Sequence, residues 1–157
     1  MTEQADYLAR VAAQRQVRLS VRSICIRNGQ LLVQRAADDP SSCHAFVGGR
    51  MEHGDTFERR IRAEYDEEIG GVLSRVSYLF VVENRFRVAE GVFHAVEHFL
   101  EVELAPGEIG TREAHLIHSW VPLADLAALD LRPHVVRDAL VDGSWRAIRH
   151  LQVPLDE

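Results

Sequence analysis

The chain has 157 residues, with 18 basic against 24 acidic side chains and a formal charge of −6. That length suits one domain able to bury a core without disulfides or structural metal, and the acidic balance argues against a nucleic-acid polymer as partner. All 18 basic residues are arginine, which removes chemistries that need a lysine: the Walker-type phosphate loop, Schiff-base catalysis and protein-kinase phosphoryl transfer.

Met1 to Ser20 is polar and dotted with arginine, without the apolar stretch of a secretion signal. No apolar run is long enough to span a bilayer. A soluble, cytoplasmic protein without membrane attachment is therefore the default expectation. Cys25 and Cys43 stand far apart and match no paired metal-binding spacing. With no repeat and no long linker, 1–157 reads as a single domain.

Within residues 1–16, Ala5 to Gln16 predicts a short N-terminal helix. From Arg18 the pattern changes to strand alternation up to Ile26. Asn28-Gly29 then leads into Leu31-Leu32-Val33, a hairpin signal because both turn residues tolerate positive φ. Ala36 to Cys43 reads as a loop. Gly48-Gly49 and Gly54 read as a tight glycine loop before a helix of about four turns. Asp55 is the expected N-cap, with Glu58 as capping-box acid. Ile61 and Tyr65 form the buried stripe, and Gly70-Gly71 the stop. Two strands follow, Val76 to Val82 and Val92 to Leu104, with a loop at Arg85–Gly91. His115 to Val121 is a further candidate strand. Leu123 to Leu129 and His134 to Val141 look helical, the second entered through Pro133. Trp145 to Val153 is a last strand or helix.

The glycine-led helix carries Glu64, Glu67 and Glu68, whose i, i+3, i+4 spacing places them on one face. Local physics opposes this placement. Like charges at i, i+4 cost about 0.2–0.5 kcal/mol, and carboxylates in the last turns oppose the macrodipole at about 0.3–1 kcal/mol each. A solvated acidic face is the bland reading. A site for hard divalent cations, Mg²⁺ or Mn²⁺, is the functional one.

Gly49, five residues, Asp55, seven residues and then Ala63-Glu64-Tyr65-Asp66-Glu67-Glu68-Ile69-Gly70 resembles the signature of the MutT-like Nudix hydrolases. That signature runs G-x5-E-x7-R-E-U-x-E-E-x-G-U, with U a bulky apolar residue. Leu31-Leu32-Val33-Gln34-Arg35 is similar to the family's opening hairpin, and Ser119-Trp120-Val121-Pro122-Leu123 to a segment many members carry before a late helix. The likeness covers about 17–140. It implies an α+β fold, an α/β/α sandwich with a mixed central β-sheet flanked by helices. Three positions depart from the signature: Asp55 for glutamate, Ala63 for arginine and Gly71 for the apolar residue. In the family that arginine helps hold a ligating glutamate. Arg60 and Arg62 are the substitutes at hand, though neither has the same helical bearing.

The resemblance implies metal-assisted hydrolysis of a nucleoside diphosphate linked to a group X, a small nucleotide-type substrate. Glu64, Glu67 and Glu68 would be the metal ligands, with Glu67 and Glu64 catalytic. Gly48 and Gly49 are expected beside substrate oxygens. Arg35, Arg50, Arg85 and Arg87 are candidate phosphate contacts, of which one is expected to touch ligand. Glu97 is a candidate extra base or ligand, set against an ordinary strand glutamate facing solvent, which is the favoured reading. Phe46, Phe86 and Phe93 are candidates to stack on a base, with core packing favoured for Phe46 and Phe93. The family often forms homodimers, and the sequence leaves that open.

Two other functions stand beside the hydrolase. A Nudix-fold module weakened at Ala63 and Asp55 would bind a nucleotide as a sensor without turning it over. His94-Ala95-Val96-Glu97-His98 also reads H-x-x-E-H, the motif of inverted zinc metallopeptidases. On a strand, though, the two histidines would lie roughly 13 Å apart, too far for one zinc.

Overall fold

The computed structural model describes residues 2–155. Met1, Asp156 and Glu157, which the single-domain reading includes, lie outside the described residues. In chain order the elements are α1 (Glu3–Ala13), β1 (Arg18–Arg27), β2 (Gln30–Ala36), β3 (His44–Phe46), β4 (Gly48–Arg50), α2 (Phe57–Ile69), β5 (Leu73–Val88), β6 (Gly91–Leu104), β7 (Leu116–Pro122), a 3-10 turn (Leu123–Ala128), β8 (Leu131–Arg132), α3 (His134–Asp142) and β9 (His150–Gln152). Among the described residues no helix is long and apolar enough to cross a membrane.

The strands form one mixed sheet in the order β8-β3-β2-β1-β6-β5-β9, with β4 added on β1 and β7 on β2. Asn28 and Gly29 both take positive φ, 52° and 73°, as the hairpin reading requires. β1 runs parallel to β6 and antiparallel to β4. Its side chains alternate between two environments. Val21 and Cys25 join Ile61, Tyr65 and Ile69 of α2 in one core, while Ile24 joins Phe46, Phe80, Phe99 and Val136 of α3 in another. Helices thus cover both faces, giving the expected α+β sandwich. Tyr65, at the signature's apolar position, is fully buried. Ser23 Oγ donates to Val47 O at 2.9 Å, so the 2.7 Å contact between Ser23 and Tyr65 has the phenol as donor.

Three local expectations are corrected. Gly48 and Gly49 lie in strand β4, not in a loop, because their backbone pairs with Val21 and Arg22. Thr56, not Asp55, caps α2: its hydroxyl accepts from Arg59 N at 3.1 Å. Asp55 instead closes the preceding turn by accepting from Glu52 N at 3.3 Å, and Glu58 pairs with Arg62 at 2.9 Å. The loop expected at Arg85–Gly91 shrinks to a tight turn, because β5 and β6 pair continuously as far as Val88 and Gly91.

Candidate active site

Helix α2 delivers the carboxylates to β4. Gly70 ends the helix at φ 64°, and Gly71 sits where a Cβ would meet Leu104 Cδ2 at 2.6 Å. Leu104 thus fills the place that the signature's apolar residue would take. Gly49 faces Glu64 so closely that a Cβ there would lie 2.3 Å from Glu64 Oε1. Glycine lets the carboxylate abut the strand.

Glu64 and Glu68 come together. Burial first, and then the charge of Glu68, push the Glu64 carboxyl up to about 7. Glu68 is buried, and its Oε2 has no hydrogen-bond partner. Glu67 is more open, its side chain 60% exposed and its Oε1 3.4 Å from Arg60 Nη2. Among the described residues no three of His, Cys, Asp and Glu converge as a metal cluster, so the structure gathers two of the three expected ligands.

The guanidinium missing at Ala63 is supplied by Arg60. Its side chain is only 6% exposed, with Nε 3.2 Å from Glu64 Oε1, Nη2 3.4 Å from Glu67 Oε1, and Nη1 3.2 Å from Glu52 and 3.4 Å from Asp55. The Nε contact lacks hydrogen-bond alignment and acts as charge alone.

A cleft of about 460 Å³ runs from Glu68, Gly48 and Gly49 past Arg50, Arg22 and Arg18 to the face of α1. Arg35 and Arg50 line it, whereas Arg85 and Arg87 do not, because odd positions of β5 turn from the face that carries Asn84 and Phe86. Phe46 and Phe93 are core residues as expected, with Phe86 stacked on Phe93 at 4.7 Å.

Glu97 does not face solvent. It is 4% exposed and lines the cleft, accepting from Arg22 Nε and Asn84 Nδ2, each at 3.1 Å. It shares its strand face with Phe93, Ala95 and Phe99. His94 and His98 occupy the opposite face, and His98 stacks on Phe57 of α2 at 4.2 Å. The H-x-x-E-H set therefore does not converge, and the zinc-peptidase reading falls.

Two residues escaped the sequence reading. Arg22 had no local signal, since its partner lies 75 positions away. His118 of β7 reaches the carboxylates from the other side, with Nε2 3.3 Å from Gln34 Oε1 and 3.6 Å from Glu68 Oε2.

Fold and site together define a mixed-sheet α+β protein in which a glycine strand and a carboxylate helix abut beside an arginine-lined cleft. The family model described as the NUDIX domain matches residues 16–140, and the chain belongs to the Nudix family. Among curated proteins none matches the sequence. Solved structures do. A MutT NUDIX hydrolase from Burkholderia pseudomallei is 27% identical, covering 80% of this chain and 96% of that one, with a TM-score of 0.63. A NUDIX hydrolase from Nitrosomonas europaea shares the fold at 12% identity, 83% and 92% coverage and a TM-score of 0.66. So does the NUDIX domain of Shewanella oneidensis NrtR, solved with ADP ribose, at 20% identity, 90% and 96% coverage and a TM-score of 0.63.

Proposed function

We propose that this chain, read as one domain with α1 as its N-terminal part, hydrolyses the pyrophosphate linkage of a nucleoside diphosphate joined to a further group. The observation that carries this reading is the coupled pair Glu64 and Glu68, with Glu64 abutting Gly49 and one buried Glu68 oxygen lacking a hydrogen bond, its nearest donor, His118 Nε2, 3.6 Å away. Opposed, desolvated carboxylates with a free acceptor suit a hard divalent cation, Mg²⁺ or Mn²⁺. Glu64 and Glu68 would hold it, with Glu67 as the third carboxylate. Such an ion, when bound, offsets pyrophosphate charge and makes water a better nucleophile.

The chain's own groups do the rest. Arg50, beside Gly49, and Arg35 bind phosphate oxygens, for which guanidinium geometry is suited. One of Glu64 and Glu67 takes the proton from the attacking water, and Arg60, touching both, fixes their separation. Glu97 is held by Arg22 and Asn84 and acts as a wall of the cleft that keeps Arg22 in place. ADP ribose in the Shewanella oneidensis domain supports a nucleoside diphosphate derivative as the substrate class.

The test is release of nucleoside monophosphate from nucleoside diphosphate sugars, dinucleotides and nucleoside triphosphates with Mg²⁺ or Mn²⁺, beside a Glu68→Gln variant. Turnover is expected in the wild type, and its loss in the variant and in excess chelator. Undiminished turnover in chelator would refute the metal role. Ligand-induced thermal stabilisation without turnover would point to the sensor module instead.

A further inference from the structure

The end of the cleft furthest from the carboxylates is walled by α1, which precedes the stretch matched by the family model. Its seat is well defined. Val11, Tyr7 and Leu8 pack with Phe86, Phe93 and Ala95, and Glu3 N donates to Asp38 Oδ2 at 2.8 Å. We propose that Tyr7 and Arg18, with Arg50 at their border with the phosphate site, form a second anion subsite under α1, which takes a charged oxygen group of the substrate beyond its first two phosphates. This rests on the hydrolase reading and deepens it.

The strand register brings the guanidiniums together. Arg18, Ser20 and Arg22 share one face of β1, with Ser20 opposite Arg50 on β4 and opposite Glu97 on β6. Arg22 is neutralised by Glu97 at 3.1 Å. Among the described residues, neither Arg18 nor Arg50 has a carboxylate at ion-pair distance, although the chain holds 24 acidic residues. Arg18 lies 5.0 Å from the Tyr7 ring centroid and donates to the Tyr7 hydroxyl oxygen. Burial, together with the charges of Arg22 and Arg50 and only partly offset by Glu97, lowers its pKa to about 10. A half-buried cation facing like charges is relieved by an anion.

The donor inventory agrees. Because the Tyr7 oxygen accepts from Arg18, its own O–H remains free to donate. Two guanidiniums and a phenol then present donors to one volume. The chemistry that fits is a phosphate or carboxylate. It has two sources: the third phosphate of a nucleoside triphosphate, or an acidic substituent on group X.

The test uses the full chain carrying Glu68→Gln, to stop turnover, with Tyr7→Phe or Arg18→Gln added. Tyr7→Phe keeps the ring in its apolar seat and removes only the hydroxyl. Calorimetric titration compares a nucleoside diphosphate linked to an uncharged sugar, one linked to a phosphorylated sugar, and a nucleoside triphosphate. Losing a charge-assisted hydrogen bond is expected to weaken a ligand that reaches the subsite about tenfold or more, while the uncharged-sugar ligand shifts by less than about twofold. Whichever charged ligand responds identifies the source. Equal changes for all three, or none, overturn the subsite while the hydrolase reading stands. Failure of the parent to bind any of them overturns both.

Discussion

Replacing Arg60 by methionine keeps the apolar stem and removes the charge at the centre of four acids. Exposure decides the magnitude. Glu52 and Glu67 have side chains 73% and 60% exposed, so their pairs contribute at most about 1 kcal/mol each. Glu64 and Asp55 are 14% and 13% exposed, and Arg60 itself 6%. Breaking a buried pair costs about 3–5 kcal/mol; the low end, about 3 kcal/mol, applies because the abandoned Glu64 carboxyl, already raised to about 7, can take up a proton. Urea unfolding at pH 8 should show that loss. Turnover should fall about 10- to 100-fold, the usual effect of removing a group that orients a ligating carboxylate. The kinetic loss has a specific rescue. Position 63 lies about 60° round the helix and about 4.5 Å along it from position 60. Arg60→Met with Ala63→Arg, which returns the cation to the signature's own place, should recover part of kcat/KM. An Arg60→Met protein within about 0.5 kcal/mol of wild type and with unchanged kcat/KM would refute the reasoning.

Gly49→Ala should displace the Glu64 carboxylate, since the new methyl would lie 2.3 Å from Oε1. Turnover and Mn²⁺ affinity should drop about tenfold or more with the circular dichroism spectrum retained, and unaltered Mn²⁺ binding would contradict the close approach. His98, half-buried against Phe57, has its pKa lowered below the ordinary histidine value of 6.5 by desolvation. As pH falls the unfolded chain takes up that proton first, so His98 costs stability below about pH 6.5 and nothing above it. Urea midpoints at pH 7.5 and 5.5 should differ less for His98→Gln than for wild type, and an equal difference would remove His98 as the cause.

The hairpin at Asn28-Gly29, the helix ending at Gly70 and the clustering of Glu64 with Glu68 were legible because each rests on residues a few positions apart. The cap was misread since Asp55 and Thr56 both have capping chemistry, and Asp55 is drawn instead to Glu52 N and Arg60. Glu97 misled for a subtler reason. It has the strand parity of the polar Glu101 and Glu103, and parity says nothing about what covers that side further along the strand. At Glu97 the cover is the arginine face of β1 and the cleft. The same long-range packing hid Arg22, His118 and the part α1 plays in the cleft.

The β5–β6 ribbon divides the molecule's labour by parity. Even positions of β6, from His98 through Leu100 and Val102, bear on the α2 side, while Phe93, Ala95 and Glu97 face α1 and the cleft. Substitutions on the second set can reshape what the cleft admits without moving the helix that carries the carboxylates. The ribbon thereby separates the side chains that shape the cleft from those that seat α2.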